Sequence, residues 1–365
     1  MGSTATVMHK RLCMGIMQAL VATALLIKPC AETTGPVSRA SSCSCSALET
    51  RVQNVIPDSP PSAHDPSIAK DRDTYYLYTT GTGIPFSYSK DLKHWTAGGA
   101  VFSQAPTWIA SVVPAAHNSI WAPDIVKYHG RWLLFYAVST FGRNQSAIGV
   151  AGNTTLDPHS PAYRWVDEGE VISTHPGDNW NAIDPNFCVD KQGAPWLAAG
   201  SFWSGLKLMS LDRETYKPVA GAALIPIAQR PVTPEVRGAI EAPYIHRHSE
   251  YYYLFASFDF CCRGTGSTYN VRVGRSRDIT GPYLDRDGIS MLQGGGTQLL
   301  FADDRWKGPG HNCILPEGKG KTERIVYHAY DALDRGRPKL RIQTLNWDRA
   351  GWPNVVNAAT DSHPQ

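Results

Sequence analysis

His64-Asp65-Pro66-Ser67-Ile68 returns, in altered form, four more times along this chain of 365 residues. The related segments are Trp121-Ala122-Pro123-Asp124-Ile125, Ile183-Asp184-Pro185-Asn186-Phe187, Glu241-Ala242-Pro243-Tyr244-Ile245 and the more divergent His311-Asn312-Cys313-Ile314-Leu315. Aligned on their second positions they stand 57, 62, 58 and 70 residues apart. Self-similarity at such a period marks a repeat architecture. About ten residues after each motif comes an aromatic or apolar run: Tyr75-Tyr76-Leu77-Tyr78, Trp132-Leu133-Leu134-Phe135-Tyr136, Trp196-Leu197-Ala198, Tyr251-Tyr252-Tyr253-Leu254-Phe255 and Ile325-Val326-Tyr327. Turn residues such as Asp71-Arg72-Asp73 and Tyr128-His129-Gly130 fill the gaps, so motif and run form a hairpin. Some thirty further residues per repeat leave room for two more strands. Four strands repeated radially make a propeller blade, so the spacing predicts an all-β, five-bladed β-propeller.

Composition agrees with that class. The chain holds 11 Trp, 16 Tyr, 32 Gly and 26 Pro, a mixture that favours short strands and tight turns. At the N-terminus, His9-Lys10-Arg11 precedes an uncharged, mostly apolar run from Leu12 to Ile27, which Lys28-Pro29 breaks. A basic start and a short apolar run read as a secretion signal. The run of 16 residues falls short of the roughly 20 that a membrane span needs. The expected organisation is a signal and cleavage region over 1–35, a Ser/Ala/Cys-rich tether over 36–57 and a single propeller over 58–365. Such a protein is secreted, to the extracellular space or the periplasm, and has no membrane span. Lys10, Arg11 and Lys28 stand against only Glu32 in the leader, so most of the formal net charge of +3 lies there. The near-neutral remainder excludes a nucleic-acid partner, and a monomer is expected.

Of the eight cysteines, Cys13 and Cys30 leave with the signal. No CxxC pairs occur, which argues against a cysteine zinc site. The adjacent Cys261 and Cys262 either bond to each other or to separate partners.

In a propeller the first strand of every blade lines the central channel, so equivalent motif positions ring one axis. The first position holds His64, Trp121, Ile183, Glu241 and His311; the second holds Asp65, Ala122, Asp184, Ala242 and Asn312. Three acids, Asp65, Asp184 and Glu241, therefore converge on one mouth. Like charges repel, so stability alone would not gather them. Glycoside hydrolysis does require carboxyls flanking one bond, an acid to protonate the leaving oxygen and a second group to activate water or attack the sugar. Glu241, between Ile240 and Ala242-Pro243, has the apolar setting that keeps a proton available near neutrality. Asp65 and Asp184 are both open to the role of base. Asp124 lies two positions off that register and is left out of the trio. A cluster of three acids also fits a calcium ion.

The ordered set His64-Asp65-Pro66-Ser67, Trp121-Ala122-Pro123-Asp124-Ile125, Asn181-Ala182-Ile183-Asp184-Pro185 and Ile240-Glu241-Ala242-Pro243-Tyr244 resembles glycoside hydrolase family 43. Ser201-Phe202-Trp203-Ser204-Gly205 and Gly308-Pro309-Gly310-His311-Asn312 look most like its endo-α-1,5-L-arabinanases. The resemblance implies an inverting propeller enzyme, with Asp65 as general base, Glu241 as general acid and Asp184 tuning the acid. It implies that His311 sits on the axis beside one largely water-coordinated calcium or similar ion, with no organic cofactor. It also implies that Trp121, Gly142, Asn181, Ser201, Phe202 and Trp203 contact a polysaccharide or oligosaccharide. Two other readings are an exo-acting α-L-arabinofuranosidase or β-xylosidase with the same trio, and a non-catalytic sugar-binding propeller. A lectin propeller repeats one site in each blade, whereas here the first position differs in every blade.

Overall fold

The computed structural model describes residues 61–116, 118–317 and 322–355; the expected signal and tether lie outside the described residues. Five antiparallel sheets follow one another along the chain. Blade I comprises Ser67–Asp71, Thr74–Tyr78, Pro85–Ser89 and Thr96–Ala100. Blade II comprises Ser119–Tyr128, Arg131–Val138, Ser146–Asn153 and Val166–Thr174, with Gly81–Thr82 added at its inner edge. Blade III comprises Asn186–Val189, Pro195–Ala199, Leu206–Ser210 and Ile225–Ala228. Blade IV comprises Ile240–His248, Tyr251–Phe258, Asn270–Ser276 and Thr297–Leu300. Blade V comprises Trp306–Glu317, Thr322–Asp331, Arg337–Trp347 and Pro353–Val355. The motif and the aromatic run of each repeat are the first and second strands of one blade.

The aromatic runs are apolar throughout because both faces of a blade are covered. Successive side chains of a strand point to opposite faces. Tyr76 and Tyr78 accordingly enter the core shared with blade II, while Tyr75 and Leu77 enter the core shared with blade V. Leu133 and Phe135 face blade III, while Trp132, Leu134 and Tyr136 face blade I. In blade IV, Tyr252 and Leu254 pack toward blade III and Tyr253 and Phe255 toward blade V. Five cores therefore lie between blades, and none belongs to one blade alone. The circle closes where Leu340 N–H donates to Pro61 O (3.1 Å) and Ala63 N–H to Pro338 O (3.3 Å), which fastens the start of the described chain to blade V.

Each motif is a place where the backbone turns left-handed. Asp65, Ala122, Asp184, Ala242 and His311 have φ of 48°, 46°, 58°, 52° and 50°. Pairing slips at these points in blades II, IV and V, as a bulge requires. A proline after the left-handed residue fits there, because it has no N–H to withdraw from the ladder. The same geometry corrects the alignment in the fifth repeat: His311, not Asn312, is the counterpart of Asp65, and Asn312 takes the proline's place.

Two and three residues further on, a circuit of hydrogen bonds joins the blades. Ile125 N–H donates to Ser67 Oγ (3.0 Å), Phe187 N–H to Asp124 Oδ2 (2.7 Å) and Ile245 N–H to Asn186 Oδ1 (2.7 Å). Tyr244 Oη donates to Ile314 O (3.2 Å), and Ile68 N–H reaches the Cys313 thiol. Asp124 is thus a buried structural acid, pushed up to about 6 by its burial despite the donors around it.

Removing an acceptor from this circuit strands a buried N–H, at a cost of about 1–3 kcal/mol. Asn186→Ala should lower stability by that amount in urea unfolding. Asp73→Ala, which removes an exposed pair with Lys90 and a hydrogen bond from the adjacent Thr74 hydroxyl, should change less. Equal effects of the two substitutions would deny the circuit its role.

Candidate active site

The left-handed turns bring three carboxylates to one mouth, and the charge of each acts on another. Asp65, on the turn into blade I, is surrounded by donors. Thr80 Oγ1 donates to its Oδ2 (2.6 Å), His64 Nδ1 lies 2.8 Å from the same oxygen, and His311 Nδ1 lies 3.1 Å from Oδ1. Burial opposes its charge, but the His64 and His311 imidazoles outweigh that and hold Asp65 well below the usual carboxylate range. Of the two aspartates, the surroundings favour the charged form at Asp65 and disfavour it at Asp184.

Asp184 has the opposite environment. It is buried, and its Oδ2 accepts from Ala242 N–H (3.0 Å). Burial, with the charges of Glu241 and Asp65 adding to it, raises Asp184 well above the carboxylate range despite His311. Glu241 enters blade IV one residue before Ala242, half-buried. Ser201 Oγ donates to its Oε2 (2.7 Å) and Tyr269 Oη to its Oε1 (2.8 Å). Burial still raises Glu241, as its apolar neighbours in sequence predict. A carboxyl shifted down and a carboxyl shifted up in the same mouth are the pairing that suits acid–base hydrolysis.

His311 is half-buried, and its Nδ1 faces Asp65. Burial works against its charge, yet Asp65 raises it to about 9. His328, wholly buried on the second strand of blade V, accepts the Asp65 N–H at Nδ1 (3.1 Å) and stacks on His64 at 4.3 Å. Burial holds His328 well below its usual range, so it serves as a neutral acceptor. Cys261 and Cys262 are bonded to each other. Tyr330 Oη accepts the Cys262 N–H (2.8 Å) and lies 3.1 Å from His64 Nε2, which ties the disulfide to the surroundings of Asp65.

The expected sugar contacts divide by position. Ser201 lies in the turn Ser201–Gly205, held to blade IV where Phe202 N–H donates to Ile240 O (2.8 Å). Phe202 and Trp203 both have positive φ, and Gly205 is needed because a Cβ there would meet Ala228 O at 2.2 Å. This turn gives the Ser201 hydroxyl to Glu241, leaves Trp203 exposed and sets Phe202 6.1 Å from Phe260. Asn181 is buried, with Oδ1 accepting from Ser146 Oγ (2.7 Å). Trp121 is half-buried one residue before Ala122. Gly142 (φ 73°) has open space where a Cβ would stand, beside the exposed Phe141. The residues absent from the sequence reading are Thr80, Tyr269, His328 and Tyr330. They lie outside the five motifs, and nothing local distinguishes them from core residues.

The family model described as Glycosyl hydrolases family 43 matches residues 55–353. The extracellular exo-alpha-(1->5)-L-arabinofuranosidase ArbA of Cellvibrio japonicus is 46% identical over 308 residues, 82% of this chain and 88% of that protein. The extracellular endo-alpha-(1->5)-L-arabinanase 1 of Bacillus subtilis is 46% identical over 295 residues, 80% and 87% of the two chains. Among solved structures, the Cellvibrio cellulosa alpha-L-arabinanase complexed with arabinohexaose matches with a TM-score of 0.78 at 43% identity, covering 82% of this chain and 96% of that one.

Ser201 and Tyr269 donate to Glu241 and so favour its charged form. Removing either donor should raise the Glu241 pKa and move the basic limb of kcat/KM to higher pH, by about one unit for a hydrogen bond of about 1.4 kcal/mol. Profiles of Ser201→Ala and Tyr269→Phe test this, and a shift to lower pH would contradict it.

Proposed function

This chain belongs to glycosyl hydrolase family 43 and is a glycosidase; on that premise we propose that it cleaves internal α-1,5-L-arabinofuranosyl linkages of arabinan, with inversion. The observation that carries the acid–base reading is the opposite treatment of two carboxyls in one mouth: Asp65 is driven to ionise and Glu241 to keep its proton. Asp65, held by Thr80, His64 and His311, takes a proton from a water as that water attacks the anomeric carbon. Glu241 gives its proton to the departing glycosidic oxygen, with Ser201 and Tyr269 fixing the carboxyl and receiving the charge it acquires. Asp184, whose charged form burial disfavours, stands beside Glu241 and tunes it. For inversion the two carboxyls stand about 6.5–9.5 Å apart, which leaves room for the water. Trp121, Phe202 and Trp203 offer ring faces, Asn181 an amide and Gly142 an unobstructed backbone to the sugar chain.

His311 would hold the central cation. Among the described residues it belongs to no group of three protein ligands, so water would fill most of the coordination sphere of such an ion. The adjacent Asn312 supports this fit, because its buried amide has no protein partner at either polar atom and such atoms are met by ordered water. When bound, a divalent cation supplies positive charge beside the carboxylates, and its binding releases any proton on the imidazole.

An exo mode is the second reading, favoured by the likeness to ArbA. Export follows from the leader together with the extracellular relatives; no helix among the described residues is long and apolar enough to cross a membrane.

Linear α-1,5-arabinan should yield a ladder of short oligosaccharides, and Glu241→Ala should abolish it. Arabinose alone from the parent enzyme would establish the exo mode. Proton NMR during the first turnovers should show the β-anomer; the α-anomer as first product would contradict inversion.

A further inference from the structure

At the other end of the strand that carries Glu241, two histidines converge on one glutamate. His246 and His248 stand two residues apart on the first strand of blade IV, so both side chains leave the same face. Glu323, on the second strand of blade V, reaches between them. His246 Nε2 lies 2.9 Å from Oε1 and His248 Nδ1 lies 3.7 Å from Oε2, and the three ligand atoms all fall within 4.8 Å of one another. At about 3.3 Å per residue the cluster is roughly 17–23 Å along the strand from Glu241, and it shares no residue with the catalytic mouth.

An ordinary ion pair accounts for His246 and leaves His248 unexplained. A separation of 3.7 Å is too long for a hydrogen bond, yet the ring is aimed at the carboxylate and fixed there. It stacks on Trp347 at 3.8 Å, and Trp347 Nε1 donates to Glu323 Oε2 (2.7 Å). Outer partners that orient ligands in this way are characteristic of metal centres. Ligands at about 2.0–2.2 Å from one zinc ion stand roughly 3.3 Å apart in a tetrahedron; here the His246 nitrogen lies 2.9 Å from one Glu323 oxygen and the His248 nitrogen 3.7 Å from the other, and one ligand atom from each residue falls within 4.8 Å of the rest, close enough to converge on one ion. All three side chains are partly exposed, so an ion can enter and a water can complete the sphere.

We propose that His246, His248 and Glu323 form a site for a divalent transition metal of the zinc type, which joins blade IV to blade V at the end of the strand away from Glu241. Two imidazoles and one carboxylate suit zinc or cobalt, whereas calcium and magnesium prefer all-oxygen spheres. The ion would bind the folded ring and not the open chain, and so would stabilise it by mass action.

The test uses the oxidised full enzyme, stripped with chelator and titrated with Zn²⁺ in calorimetry and thermal unfolding. The expected result is one zinc per chain at micromolar affinity or tighter, a rise in Tm of several degrees, and no such effect from Ca²⁺ or Mg²⁺. His248→Gln leaves the His246–Glu323 pair intact and should weaken zinc at least tenfold, while its Tm in chelator stays at the parent value. Co²⁺ should give the intense visible absorption of a four-coordinate site in the parent and lose it in His248→Gln. Zinc affinity and cobalt spectrum unchanged by His248→Gln, or no binding by the parent below millimolar zinc, would overturn the proposal. Arabinan hydrolysis by zinc-free His248→Gln should equal that of the parent, which separates this site from the catalytic reading.

Discussion

The circuit of hydrogen bonds around the axis is the constraint on which the rest of the molecule depends. A blade of four strands cannot bury either face alone, so the five cores form only when neighbours stack. Stacking brings polar backbone close to the channel, and each such group needs a partner. Ser67, Asp124, Asn186, Tyr244 and Cys313 supply those partners across successive blade boundaries. The chemistry differs at every junction, from hydroxyl to carboxylate, amide, phenol and thiol, while the position stays the same. That fixed position holds the left-handed residue two steps earlier at a constant place on the rim.

A mouth so defined can hold groups that stability would disperse. Asp65, Asp184 and Glu241 repel one another when all are charged, and the structure relieves this in two ways. Imidazoles and a hydroxyl surround Asp65, and burial keeps Asp184 and Glu241 inclined to hold protons. The left-handed backbone at Asp65 and Asp184 is a further local cost that the surrounding sheets overcome. The same distribution of charge makes the site asymmetric about an axis whose scaffold is nearly symmetric. A lectin-like propeller would repeat its site; this one spends its single site on a single bond.

Strands that run from mouth to rim can carry different chemistry at their two ends. In blade IV, Glu241 stands at the entrance and the pair His246 and His248 at the exit, with a continuous apolar face between them. The loops at the mouth, above all the turn at 201–205 and the segment leading to Cys261–Cys262, lie beside the trio, the first through Ser201 on Glu241 and the second through Tyr330 and His64 toward Asp65.

The sequence by itself determined the all-β class, the five repeats and the three acids, because a motif recurring every sixty residues or so reports both a strand register and a shared axis. It also placed Glu241 in an apolar setting and kept Asp124 apart from the trio. Register in the fifth repeat escaped it, since Asn312 replaces the proline that marks the bulge elsewhere, and only backbone dihedrals show His311 in that place. Asn144-Gln145-Ser146 and Asn153-Thr154-Thr155 fit the glycan-acceptor pattern, yet the fold buries both asparagines and turns the Asn144 amide to Asp178 O and Trp180 O. Which aspartate ionises was decided by tertiary structure alone. Thr80 lies on a turn of blade I, Tyr269 on the loop just before the third strand of blade IV and His328 on the second strand of blade V, so no local pattern announces them. Charge on a buried carboxyl depends on neighbours brought near through space, and sequence spacing carries no record of those neighbours.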